Sequence, residues 1–375
     1  MNAQRLLNEF FELVQIDSET KNERQIADIL TTKLQELGFD VVEDDSAQRS
    51  GHGAGNLIAT LKGTVPGADS IYFTCHMDTV VPGIGIQPVL KDDGYIYSDG
   101  TTILGADDKA GIAALFEMMR VVKEQKIEHG DIQFIITAGE ESGLAGAKEM
   151  SKEQIQADYG YAVDSDGKVG GIVTAAPYQA KVAAKIYGKT AHAGVAPEKG
   201  VSAINIAAKS ISAMSLGRID AETTANIGSF HGGKATNIVC DEVTIIAEAR
   251  SIQSEKLEHQ LTHMKETFER VATEMGGQAE VDIQHAYPGF SFTEDAAVVQ
   301  TAVQAIQNID RTPALLTSGG GSDGNIFNGF GIPTVTLSVG YEEIHTTNER
   351  MPVEELEKLA ELLIEIVRVA AQPKN

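Results

Sequence analysis

The feature that most restricts the fold is a series of short, dry apolar runs separated by helical patterns. GNLIATLKG (55–63), SIYFTCH (70–76), DIQFIITAG (131–139) and YGYAVD (159–164) read as strands. Between the second and third of them, KAGIAALFEMMRVVKEQ (109–125) has the spacing of a long, largely buried helix. Strands that alternate with helices predict an α/β layer structure around a mainly parallel sheet. Upstream, Leu6, Leu7, Phe10, Phe11 and Val14 mark one helical face. Ile26, Ile29, Leu30, Leu34 and Leu37 mark a second, closed by Gly38 as its C-cap.

The pattern changes near Tyr178. YQAKVAAKIYGK (178–189) alternates polar and apolar residues, as a strand covered on one side does. A helix (200–216), strands around TANIGSF (224–230) and NIVCDEVTIIAEAR (237–250), a helix (254–275) and a strand (278–286) complete a unit of helices on an antiparallel sheet. After Pro288 the earlier style returns: a helix over 295–308, a strand near 313–317, a Gly-rich turn, the strand IPTVTLSVG and a last helix over 353–371. The expected fold is a discontinuous α/β domain, residues 1–177 and 288–375, with an α+β domain inserted at 178–287. At 375 residues the chain is long for one core and comfortable for two.

A formal net charge of −24 argues against nucleic-acid and anionic-membrane partners, which require basic patches. No apolar run is long enough to span a bilayer, and MNAQRLLNEF lacks a signal-peptide pattern. Cys75 and Cys240 are the only cysteines, which offers no disulfide framework and fits a reducing cytoplasm.

Residues able to carry chemistry gather where strands end. His76 and Asp78 follow SIYFTC two apart, so in an extended chain they share a face. Asp107 and Asp108 stand before the long helix, Glu140 and Glu141 follow FIITAG, Asp164 ends YGYAVD, and His345 lies beyond TVTLSV. Each has an ordinary reading alone: a strand-end histidine, a helix cap, a solvated loop carboxylate. Together they line the carboxyl edge at which open α/β sheets place ligands. Two histidines with Asp and Glu oxygens form a donor set for zinc or a similar divalent ion.

Taken in order, HMDT, ADDKAG, GEES, the aspartate of AVDSDG and the late histidine of VGYEEIHTTNE resemble the di-zinc peptidase family of peptidase T, glutamate carboxypeptidases and aminoacylases. The resemblance spans nearly the whole chain and is nearest to peptidase T-like tripeptidases. It implies a mainly parallel-sheet sandwich as the catalytic domain, with a ferredoxin-like insert that acts as lid and dimerisation domain. It implies that His76 and Asp164 bind one zinc, Glu141 and His345 the other, and Asp107 bridges them. Asp78 would orient His76, and Glu140 would be the general base. A cis peptide is implied between Asp107 and Asp108.

In the insert, His192 of GKTAHAG matches a histidine that reaches an active site, often across a dimer, although Ala193 stands where the family usually has proline. Asn237 and Arg250 match substrate-contacting positions, and in SGGGSDG the glycines, Gly320 and Gly321 among them, let backbone amides approach a substrate closely or else form only a flexible turn before a helix capped by Ser322 or Asp323. The implied activity is hydrolysis of short peptides, tripeptides above all, with cobalt or manganese compatible with the same ligands. The alternatives are an amidohydrolase of N-acyl amino acids and a non-catalytic peptide-binding relative.

Overall fold

The computed structural model describes residues 1–372. The chain divides into two compact units. One holds Met1–Ala175, Phe292–Ser318 and the chain from Ser322 onward; the other holds Ala176–Ser291 and Gly319–Gly321.

The first unit is built on a mixed sheet whose strands run Asp40–Glu43, Leu57–Leu61, Ile132–Thr137, Ile71–His76, Tyr159–Ser165, Thr334–Ser338 and Gly171–Ala176, with Ala314–Thr317 beside the last. Its centre is parallel: Ile71–His76 pairs in parallel with Ile132–Thr137 and with Tyr159–Ser165, and Tyr159–Ser165 pairs in parallel with Thr334–Ser338. The central strands are buried on both faces, which is why they read as continuous apolar runs rather than alternating ones. The stack of Phe73 on Tyr161 and the edge contact of Phe73 with Phe134 join three of them. Helices Ala3–Val14, Ala106–Gln125 and Val353–Ala370 share one core with the sheet, through Phe10, Phe116 and Leu363 among others.

Register then determines where the chemistry lies. His76 pairs with Thr137, and Ser338 with Ser165, so neighbouring strands end together and their following loops leave from one edge. A small sheet of Val89–Leu90, Tyr95–Tyr97 and Arg350–Pro352 adds to this unit. Its strands are too short to show a period in the sequence.

The second unit is an antiparallel sheet in the order Gly217–Arg218, Thr223–Gly232, Glu242–Ser251, Tyr178–Tyr187, Gln278–Tyr287. Helices Ala203–Ser212 and Ser254–Glu274 pack on it through Ile206, Phe268 and Met264. Without the two-residue edge strand, the succession is βαββαβ, the ferredoxin-like arrangement. The third long strand begins at Glu242 rather than Asn237, because the preceding segment pairs elsewhere, Ile238 bridging to His192. No helix of the described residues is long and apolar enough to cross a membrane.

Candidate active site

Four strand ends and one helix start deliver the site. His76 is the last residue of its strand, and Asp164 is the second-last of Tyr159–Ser165. Asp107 and Asp108 lie at the start of helix Ala106–Gln125, after Gly105 at φ 73°. Both depart from helical angles, and the peptide between them is cis. The Glu140–Glu141 pair follows Ile132–Thr137 in a tight loop flanked by Gly139 at φ 71° and Leu144 at φ 63°. His345, at φ 62°, lies in a loop closed where Glu342 and Arg350 exchange backbone hydrogen bonds of 2.9 and 3.0 Å.

Asp107 is the centre of the arrangement. Its Oδ1 is 2.9 Å from Nε2 of His76, and its Oδ2 is 3.1 Å from Nε2 of His345. Asp164 Oδ1 lies 3.7 Å from His76 Nε2, and Glu141 Oε1 lies 2.9 Å from His345 Nε2. Ligand atoms of His76, Asp107 and Glu141 fall within 4.8 Å of one another, and so do those of His76, Asp108 and Asp164. Asp108, named in the sequence only as the neighbour of Asp107, thus joins the cluster.

Asp78 is fully buried, and its carboxylate accepts the backbone N–H groups of Glu140 (3.0 Å) and Glu141 (3.3 Å). It therefore ties the glutamate loop to the strand that carries His76. The His76 Nδ1 hydrogen bond goes to the carbonyl oxygen of Asp78 at 2.9 Å, with the carboxylate at 3.6 Å. A carbonyl only accepts, so Nδ1 carries the proton and Nε2 is left facing carboxylates.

The cluster holds far more acid than base. Burial works against a charged His76 ring, but hydrogen bonds to Asp107, Asp164 and Asp78 hold its pKa well above the ordinary value. Asp107, and then Glu141, push His345 up to about 10. Burial, with Asp164 next, raises Glu140 well above the usual carboxylate range, and burial lifts Asp164 to about 6. Asp108 Oδ1 and Asp323 Oδ1 are buried acceptors that receive no hydrogen bond. Orphaned acceptors beside two imidazole nitrogens, in a nest of carboxylates, form a donor set that fits divalent cations.

Several site residues escaped the sequence reading. Glu349 is 1% exposed and accepts N–H groups from Leu104, Gly105 and Asp107. Lys109 is fully buried, donates to Ser18 Oγ at 2.7 Å, and is brought down to about 8 by burial. Tyr341 donates to Asp164 Oδ1 at 3.1 Å. Asp323 is buried and bonded to Thr137 Oγ1. In the sequence the only available signal was a glutamate four residues past His345 and a lysine inside ADDKAG.

The remaining predicted residues lie in the second unit. His192 and Asn237 are exposed neighbours, Ala193 donating its N–H to the Asn237 carbonyl at 2.9 Å. Arg250 is held by Glu248 at 2.9 Å, and its Nη1 donates to the Gly319 carbonyl at 3.1 Å. It therefore sits against the turn that carries Gly320 and Gly321.

Comparison with known proteins gives a consistent result. Residues 72–369 match the Peptidase family M20/M25/M40. The crystal structure of aminopeptidase PepT from Bacillus cereus ATCC 10987 is 64% identical, with a TM-score of 0.96 over 99% of this chain and 100% of that one. The structure of a tripeptidase from Staphylococcus aureus subsp. aureus Mu50 is 57% identical, with a TM-score of 0.97 over 99% of each chain. Peptidase T from Clostridium botulinum (strain Okra / Type B1) is 28% identical over 98% of this chain and 99% of its own length.

Proposed function

This chain belongs to the Peptidase family M20/M25/M40 and is a peptidase nearest to the peptidase T type; on that premise we propose that it hydrolyses short peptides, tripeptides above all, at a centre of two divalent metal ions, zinc first. The observation that carries the reading is the single carboxylate of Asp107 reaching both His76 and His345, with Glu141 and Asp164 beside them. His76 and Asp164 would hold one ion, Glu141 and His345 the other, and Asp107 both. Bound there, the ions would supply Lewis-acid activation of a water and polarisation of the scissile carbonyl.

The protein's own groups do the rest. A carboxylate oxygen of Glu140 takes a proton from the attacking water and passes it to the leaving amine. Glu141 is engaged by His345, so the unligated neighbour is the one free to move a proton. Asp78 keeps both in place through their backbone amides and fixes the His76 ring. We assign His192, Asn237, Arg250, Gly320 and Gly321 to the substrate, the Arg250 guanidinium to its carboxylate. We assign the inserted unit to a homodimer, and the enzyme to the cytoplasm, in keeping with two unpaired, buried cysteines.

The test is hydrolysis of tripeptides, dipeptides and N-acetyl amino acids by zinc-loaded protein. Tripeptides are the expected best substrates, and turnover of N-acetyl amino acids alone would overturn the assignment. Glu140→Gln should lower kcat about 10²–10⁴-fold while metal content is kept, the usual worth of a positioned base. Full activity in that variant would remove Glu140 from the role.

A further inference from the structure

The loop before Asp107 is held by a carboxylate from the far end of the chain. Glu349 Oε2 accepts the N–H groups of Leu104 and Gly105, both at 2.8 Å, and Oε1 accepts the N–H of Asp107 at 3.1 Å. These amides precede and open helix Ala106–Gln125, where backbone N–H groups have no partner within the helix and the helix polarity favours an anion. Three backbone amides in a row of four residues are gripped by one side chain, which sets the course of the backbone into Asp107.

The same residue belongs to the loop of His345, four positions earlier. That loop is clamped at its base by the Glu342–Arg350 backbone pair and by the Arg350–Glu342 ion pair. Arg350 is in turn a strand residue opposite Tyr97 in the small sheet. Glu349 N–H donates to Thr346 O at 3.2 Å, and Thr346 Oγ1 donates to Glu343 O at 2.7 Å. His345 is thereby framed at a positive φ that L residues seldom adopt.

We propose that Glu349 is a positioning residue of the metal centre, fixing the Asp107 carboxylate against His345 by gripping the Asp107 backbone from the His345 loop. Asp78 does the equivalent for Glu140 and Glu141. Each buried carboxylate thus joins two ligand-bearing segments through backbone amides. The assignment rests on the two-ion reading of the site.

The test is zinc binding, measured by competition with a chromophoric chelator, in wild type and in Glu349→Gln. Glutamine keeps the shape but turns an N–H toward an amide that needs an acceptor. The expected result is about 10–100-fold weaker binding of at least one ion, the usual cost of removing a group that orients a ligand. In the cobalt-loaded variant the visible absorption bands should also shift, reporting altered ligand geometry. Glu117→Gln is the control: Glu117 is equally buried and accepts the Asn2 N–H and the Arg5 side chain, outside the site. It should lower thermal stability and leave zinc affinity unchanged.

Wild-type affinity and an unshifted cobalt spectrum in Glu349→Gln would overturn the assignment while leaving the metal centre standing. Failure of wild-type protein to bind zinc, cobalt or manganese would overturn the two-ion reading itself, and this inference with it. Should Glu349→Gln fail to fold, Glu349→Asp, one methylene shorter, takes its place. Weakened binding is again expected, and wild-type affinity would again overturn the assignment.

Discussion

Asp323 shows how burial makes a carboxyl responsive to pH. Burial raises its carboxyl from the ordinary range to about 7. Native protein therefore keeps a proton that unfolded chain releases above its ordinary pKa. Stability from this group is fully present below about pH 4 and is lost as pH rises through about 7. We expect the melting temperature of chelated protein to fall between pH 5 and pH 8, and the fall to be shallower in Asp323→Asn. A tenfold difference in proton affinity between folded and unfolded chain is worth about 1.4 kcal/mol, so the unfolding free energies behind the two curves should diverge by about 2–4 kcal/mol. Parallel curves would show that other carboxyls carry the slope. Arg250 makes a prediction of the opposite kind, about affinity. If its guanidinium binds a substrate carboxylate, Arg250→Met should raise KM for a tripeptide tenfold or more, as loss of a hydrogen bond to a charged group costs about 1.5–3 kcal/mol. Equal KM values with lowered kcat would contradict that role.

At the level of elements, the helix that opens with Asp107 is pressed against the sheet at a single glycine. A Cβ on Gly111 would lie 2.5 Å from Asp108 Oδ1, 2.8 Å from Cys75 Sγ and 2.8 Å from the Val163 carbonyl. In an open helix, Gly→Ala is worth up to ~1 kcal/mol of added stability. Here the sign should reverse: Gly111→Ala should cost about 1–3 kcal/mol in urea unfolding and weaken zinc binding, because the helix must move off the strand carrying His76. A stability gain would show that the contact is looser than it stands.

The sequence reading did well at this scale and poorly at one kind of site residue, for a common reason. Long strands and helices carry a period, and His76, Asp107, Glu141, Asp164 and His345 stand where those periods stop, so their convergence could be read from topology. Glu349 bonds to an amide 242 residues away, and no spacing encodes such a partner. Lys109 sits inside a helical run where a lysine ordinarily faces water, and only packing shows it buried. The strands Val89–Leu90 and Tyr95–Tyr97 are too short to leave a pattern at all.

For the whole molecule, the uneven distribution of ligands has a thermodynamic consequence. Every side chain assigned to the metal centre belongs to the first unit, and each unit has its own buried core. Ions that bind only folded protein stabilise it by about 2.7 kcal/mol when free ion is a hundredfold above Kd. That stabilisation falls on the unit that holds the ligands. Chains with more than one core commonly depart from two-state unfolding, so calorimetry should resolve two transitions. Chelation should lower one of them and leave the other in place. Glu141→Ala, which removes a proposed ligand of one ion, should lower the same transition in metal-loaded protein and make it less sensitive to chelator. A joint shift of both transitions would mean that the units unfold as one cooperative body. The absence of any shift would mean that the acidic cluster holds no ion, however well its donors are arranged.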